Sequence, residues 1–256
     1  FKEIDRLEAV FSRFNATSEI GQINRLRPGE SLRISLDAFE CLKVAERVQR
    51  ETAGAFNINF RQAGNSSERP EFELIAADSG FRVRLRQDFL GRSPAGLDLD
   101  LGAVGKGYAL DKAASIRAEW SVEPFLIHGG TSTALAAGDA PGLSQGENGW
   151  PVGVGGTWEL PGVPKRALLK GRALSGSGTE VKGRHIRDPR TGRPAEGHLA
   201  VWVSHPSAAV SDALSTAFMA MSKKEARRYC ERHSDVWALL ITPKKKGLLF
   251  NREILG

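Results

Sequence analysis

Cysteine is scarce in this sequence, with two residues in 256, Cys41 and Cys230, far apart and without CxxC spacing. That excludes a disulfide framework and a cysteine-held metal site, and it leaves both as small apolar residues for a core. Long hydrophobic runs are missing too: no stretch approaches the roughly 18 apolar residues that a membrane span needs. There is no repeat at a fixed period, which excludes solenoids and propellers. No break in composition separates two halves, so residues 1–256 read as a single, fairly large α/β or α+β domain. The chain opens at Phe1 without Met and without a basic, apolar leader. The expectation is that any signal peptide or lipid anchor has been removed or was never present. Charge of one sign is nowhere gathered. The net charge of +6 is scattered, and basic residues do not interleave with aromatics, so it favours phosphorylated ligands over nucleic acid. The longest basic run, Lys244 to Lys246 between Pro243 and Gly247, predicts an exposed turn between strands.

What is present is periodic. Phe1, Ile4, Leu7, Val10, Phe11 and Phe14 recur at helical spacing and predict one amphipathic helix with its apolar face packed. Ser35 before Leu36, then Phe39, Leu42, Ala45 and Val48, predicts a second helix with an N-cap, ending near Thr52-Ala53-Gly54. Ala55 to Phe60 reads as a strand, and Gln62 to Pro70 as a polar surface loop. Phe81 to Leu85 alternates apolar with basic residues as a half-exposed strand does, and Leu97 to Leu101 alternates Leu with Asp. A helical pattern follows from Val104 to about Ala118. Short apolar runs at Pro124 to Ile127, Trp150 to Val154, Arg166 to Leu169 and Ala200 to Val203, punctuated by glycines, predict a mostly antiparallel sheet. Helices over Ser207 to Met221 and Lys223 to Arg232 precede a last pair of strands, Val236 to Ile241 and Gly247 to Phe250.

Four stretches can carry chemistry. From Leu97 to Tyr108 an alternating strand enters a glycine-rich turn and then a helix, with Lys106 at the helix start. Glycines permit close backbone approach, a helix start offers unpaired N–H groups, and Lys106 supplies a cation, so the segment suits a phosphate; the alternative is a plain strand-to-helix turn. Asp212 and Thr216 stand four apart on a helix, one turn from each other. Both could ligate a hard cation such as Mg2+. Alternatively, the aspartate answers the helix dipole and the threonine bonds back to the backbone. His185 precedes the turn-rich Asp188 to Pro194, where it could serve as acid, base or phosphate contact, or hold the turn. His128-Gly129-Gly130-Thr131 ends an apolar strand where backbone can pass close to a ligand.

In order and spacing these pieces resemble the ApbE family, the FAD:protein FMN transferases. The match runs through Ser12 to Asn15 with Ser18-Glu19-Ile20 and Ile23-Asn24, Thr52 to Asn57, Leu99 to Tyr108, His128 to Gly130, Leu174 to Gly176, His185 to Gly192, and Asp212 to Ala217. The resemblance implies an α+β fold with a mostly antiparallel sheet core and flanking helices, ApbE-like and T-fold-like. It implies Mg2+ held by Asp212, Thr216 and the backbone carbonyl of Ala103, and an FAD pocket lined by Phe14, Ala55, Phe56, Asn57, Asp100, Lys106 and Ile186. FMN would pass from FAD to a Thr or Ser hydroxyl of an acceptor protein, AMP would leave, and His185 is the candidate catalytic residue for taking the proton. The same architecture would also serve a hydrolase that splits FAD into FMN and AMP, or a non-catalytic FAD-binding relative. An extracytoplasmic or membrane-associated location is the family's habit. Asn57 stands where the family usually has Asp, and Phe60-Arg61-Gln62 where it continues Gly-Pro-Leu. The asparagine keeps an acceptor and loses a charge. The family's first strand, with its Gly-Thr pair, does not appear before the first helix in residues 1–256.

Overall fold

The protein is seen in a computed structural model that describes residues 2–59, 66–88, 97–156, 163–179 and 186–255. It forms two compact units, Phe1–Gly105 with Arg187–Arg193, and Lys106–Ile186 with Pro194–Gly256.

In the first unit, α1 (Lys2–Phe11) and α2 (Glu19–Ile23) precede β1 (Ser31–Ile34), α3 (Leu36–Glu51), β2 (Phe72–Ala77) and β3 (Gly80–Leu85). The strands form an antiparallel sheet in the order β1-β3-β2. The α3 start agrees with its sequence: the Ser35 hydroxyl accepts from Ala38 N at 3.2 Å. The helix buries Ala38, Cys41, Leu42, Ala45 and Val48, and the ring of Phe39 packs, tilted by 33°, with its centroid 4.6 Å from that of Phe81 of β3. It ends at Thr52, where Ala53 and Gly54 turn to positive φ. Ser35→Ala should therefore lower stability by about 1 kcal/mol in chemical denaturation; an unchanged midpoint would show that the cap contributes nothing.

Two local expectations are corrected here. The first helix stops at Phe11, Leu7 is the one buried member of its apolar set among the described residues, and Phe14 is 87% exposed. Ser18 explains the early stop, because its single hydroxyl proton is shared between Ser12 O and Asn15 O, the latter at 2.8 Å, and folds residues 12–18 into a turn. The strand expected from Ala55 to Phe60 is a turn with a single bridge, Asn59 to Leu99; Phe60 lies outside the described residues. Side chains supply what a ladder would: Thr52 Oγ1 accepts from Phe56 N at 3.2 Å, and Asn57 Oδ1 accepts from Asn59 N at 2.7 Å.

The second unit contains α4 (Gly105–Glu119), whose first residue lies on the unit boundary, then β4 (Phe125–Gly129), β5 (Thr133–Ala137), β6 (Trp150–Gly153), β7 (Arg166–Leu169), β8 (Arg172–Gly178), β9 (Ala200–His205), α5 (Ala208–Ala220), α6 (Lys223–Arg232), β10 (Trp237–Ile241) and β11 (Gly247–Phe250). Six strands form one antiparallel sheet, β11-β10-β9-β8-β5-β4, while β6 and β7 form a separate ribbon. Strand register divides the sheet's side chains between two faces. Thr133, Leu135, Ala173, Ser175 and Val203 share one face. On it lie α5 and, through Leu110, α4. Ala136, Leu174, Trp237, Leu239 and Ile241 share the other, a core that the β6–β7 ribbon covers. All residues of α5 except Thr216 and Ala220 are buried, which makes it the helix threaded through this unit's interior.

Candidate functional site

In the second unit the site is built where two helices start. The first N–H groups of any helix lack intrahelical partners. In α5 the hydroxyl of Ser207 accepts from Val210 N at 3.3 Å, and the Asp111 carboxylate of α4 accepts from Ala208 N at 2.7 Å and Ala209 N at 3.0 Å. Asp111 also accepts from the Ser207 hydroxyl at 2.7 Å. The contact is close because Gly107 of α4 lies directly against the Ala208 backbone.

One turn further along α5 stands Asp212, 4% exposed. Its Oδ2 lies 3.3 Å from Gly107 N and 3.3 Å from Lys106 Nζ, both in the first turn of α4, and its Oδ1 accepts from Thr133 Oγ1 at 3.4 Å. Behind it, Ser175 donates to Thr133 at 3.2 Å. Burial raises the Asp212 pKa above the ordinary carboxylate value, and Lys106, Gly107 and Thr133 oppose that rise without cancelling it. Thr216 does bond back to the backbone, its hydroxyl donating to Asp212 O at 3.4 Å.

The donors around Asp212 are all oxygens: one carboxylate with the hydroxyls of Thr133, Ser175 and Thr216. Among the described residues no group of three or more His, Cys, Asp or Glu could hold a metal. A lone buried carboxylate with neutral oxygens does not suit zinc. It does fit a hard cation that draws further ligands from water and phosphate. The His128-Gly129-Gly130 segment closes β4, and His128 and Gly130 line, with Thr133, Gly176 and Trp202, a cleft of about 320 Å3. His128 Nδ1 donates to Gly130 O at 3.1 Å.

In the first unit the Leu97 to Leu101 segment is held extended mainly by side-chain amides. Asn24 makes both bonds that a neighbouring strand would make to Leu99, accepting from its N at 2.7 Å and donating to its O at 3.2 Å. Asn59 Oδ1 accepts from Asp98 N, and Ile58 O accepts from Asp100 N at 2.7 Å. Asp100 turns the chain toward α4 by accepting from Gly102 N at 2.7 Å, and its other oxygen faces Arg13 Nε at 3.4 Å. Arg13 also sits 4.8 Å above the ring of Phe14. Asn57 spends its amide locally, its Nδ2 donating to Ser66 Oγ at 3.0 Å, while Ala55 and Phe56 are buried.

Of the residues expected at the site, Lys106 and Asp212 meet directly, with Thr216 on the next turn, in the second unit. Asp100 lies beside the turn that holds Ala55, Phe56 and Asn57 in the first. Ala103 lies in the first unit, two residues before α4 begins, half-buried, and Ile186 closes a loop of the second by accepting from Ala195 N at 2.9 Å. His185 lies outside the described residues. Sequence reasoning passed over Asp111, Thr133 and the bonding role of Asn24. The signal for Asp111 was its place on α4, one turn beyond Gly107, but nothing in that spacing names the helix it would cap.

The model of the ApbE family matches residues 1–240. Among curated relatives, the FAD:protein FMN transferase of Escherichia coli is 28% identical, over 90% of this chain and 72% of the relative. The protein of the same name from Treponema pallidum is 29% identical over 96% and 76%. Among solved structures, the flavinyl transferase ApbE of Pseudomonas stutzeri has a TM-score of 0.78 at 20% identity, covering 100% of this chain and 88% of that one. The ApbE protein of Thermotoga maritima has a TM-score of 0.74 at 23% identity, over 98% and 87%. These likenesses bear out the expected α+β fold with antiparallel sheets and flanking helices.

Proposed function

The chain belongs to the ApbE family, and from that premise we propose that it transfers the FMN half of FAD to a Thr or Ser hydroxyl of an acceptor protein, assisted by Mg2+. The observation that carries this reading is the buried Asp212 carboxylate set against Lys106 and the first turn of α4. A carboxylate kept out of water at a cost calls for a use, and perturbed carboxyls concentrate at functional sites.

Asp212, the Thr216 hydroxyl and the Ala103 carbonyl are the groups that would hold the ion. When bound, it supplies Lewis-acid stabilisation of charge on the pyrophosphate. Lys106, its side chain 45% exposed, neutralises Asp212 in this structure and can turn to a phosphate oxygen. The N–H groups opening α4 favour the same anion. Phe14, with most of its ring in solvent, offers an aromatic face for a flat ring system; with Ala55, Phe56, Asn57, Asp100 and Ile186 it would line the FAD pocket. In the transfer, the acceptor oxygen bonds to the phosphorus of the FMN half, the anhydride bond breaks, and AMP leaves with the electron pair. The acceptor hydroxyl's proton goes to a base, for which His185 is the candidate.

Incubation with FAD and Mg2+, with and without an acceptor domain, tests this reading. We expect AMP together with covalent flavin fluorescence on the acceptor, lost with EDTA and restored by Mg2+. AMP without labelled acceptor would make the protein a hydrolase, and bound FAD with no AMP a non-catalytic relative.

A further inference from the structure

The two helix starts described above are joined reciprocally. Asp212 of α5 accepts from Gly107 N in the first turn of α4, and Asp111 of α4 accepts from Ala208 N and Ala209 N in the first turn of α5. Each helix carries the carboxylate that satisfies the other's orphan donors. Gly107 permits it, since only a residue without Cβ lets the two backbones approach this closely. The two halves differ in quality. Asp111 makes short bonds of 2.7, 2.7 and 3.0 Å, whereas the Asp212 contacts are 3.3 to 3.4 Å. The first therefore holds the geometry, and the second sits in it with room to rearrange.

We infer that Asp111 is a positioning residue: by fastening the first turn of α5 to α4, it fixes where the Asp212 carboxylate stands relative to Lys106 and Gly107. No ligand need touch Asp111 for this. Ser207 is a second cap, its hydroxyl accepting from Val210 N while donating to Asp111, so α5 does not need Asp111 merely to begin. What Asp111 adds is the tie between the helices. A consequence, resting on the function proposed above, is that cation affinity at Asp212 depends on Asp111.

The test compares Asp111→Asn with Ser207→Ala, which removes the helix's own cap and the hydroxyl bond to Asp111 but leaves the two backbone bonds that tie α5 to it. Amide hydrogen exchange at Gly107 is read by NMR against Ala114, further along α4. We expect Asp111→Asn to speed exchange at Gly107 by about tenfold with Ala114 unchanged, as loss of charge-assisted bonds implies, and Ser207→Ala to leave Gly107 as it was. Unchanged exchange at Gly107 in Asp111→Asn overturns the inference, and so does equal acceleration at Gly107 and Ala114, which would mean general loosening. Titration with Mn2+ in the absence of FAD gives the second reading. Wild-type binding that weakens in Asp111→Asn supports the consequence, and equal binding overturns it. If the wild type binds no Mn2+, the cation reading fails while the exchange data still decide the clamp.

Discussion

Asp212→Asn will lower flavin transfer by about a hundred- to a thousandfold, the usual loss when a group that stabilises developing charge is removed, and the variant will be no less stable at neutral pH than the parent. The two halves of this expectation come from one cause. Burial holds the Asp212 pKa above its ordinary value, with Lys106 the largest opposing influence. A carboxyl whose folded-state pKa exceeds its unfolded value is folded at a cost when ionised. That cost is absent below the unfolded value of about 4, grows as pH rises from there, and is complete above the folded-state value. The parent therefore gains stability, relative to the variant, as pH falls through this window. An amide of nearly the same shape removes the cost, because its oxygen can accept from Gly107 N and Lys106 while its NH2 donates to Thr133. Thermal midpoints of both proteins across this pH range check the sign. A parent more stable than the variant at pH 7, by more than at pH 4, would show that Asp212 is a structural ion pair.

The second large effect falls on a glycine. A Cβ on Gly107 would stand 2.5 Å from the carbonyl carbon of Ala208 and 2.7 Å from Ala209 Cα, and closer still to Ala208 O. All three are backbone, so no rotamer change relieves the overlap, and α4 and α5 must part. Helix propensity favours the alanine by about 1 kcal/mol, but overpacking costs about 1–3 kcal/mol and the helix-to-helix bonds weaken as well. We expect Gly107→Ala to be destabilising by about 2 kcal/mol and to depress transfer even where the protein stays folded. Gly105→Ala, two residues earlier, meets only side-chain atoms at 3.5 Å and should be neutral or slightly stabilising. Opposite behaviour of this pair in thermal denaturation would refute the close-approach argument.

Helices announced themselves where a cap coincided with a period. Ser35 precedes such a pattern and its hydroxyl accepts from the following turn; Ser207 and Ser222, not read as caps from the sequence, do the same in the structure. The β10–β11 hairpin was equally plain, since Lys244 to Lys246 had to lie in a turn, and Lys246 N bonds to Thr242 there. β8 was not legible: its sequence, Arg172 to Gly178, is rich in Ser and Gly and has little intrinsic strand preference. It is a strand because β5 and β9 flank it and pair with both its edges, Gly176 giving space to the Trp202 indole. Phe14 misled because the apolar period runs on past the point where Ser18 ends the helix. At the site, the residue types were readable but not their company. Nothing local to Asp212 says that the amide receiving it lies 105 positions away in the chain, and Asn24 looks like a helix end until its amide is seen standing in for a strand.

The most direct test of the account is the intact mass of an acceptor domain after incubation with FAD, Mg2+ and either the wild-type protein or Asp212→Asn. The account predicts a gain of one FMN phosphoryl unit on a single Thr or Ser hydroxyl, matched by one AMP released, with the wild type, and almost none with Asp212→Asn. AMP without a mass gain, or an equal gain with both proteins, would contradict it.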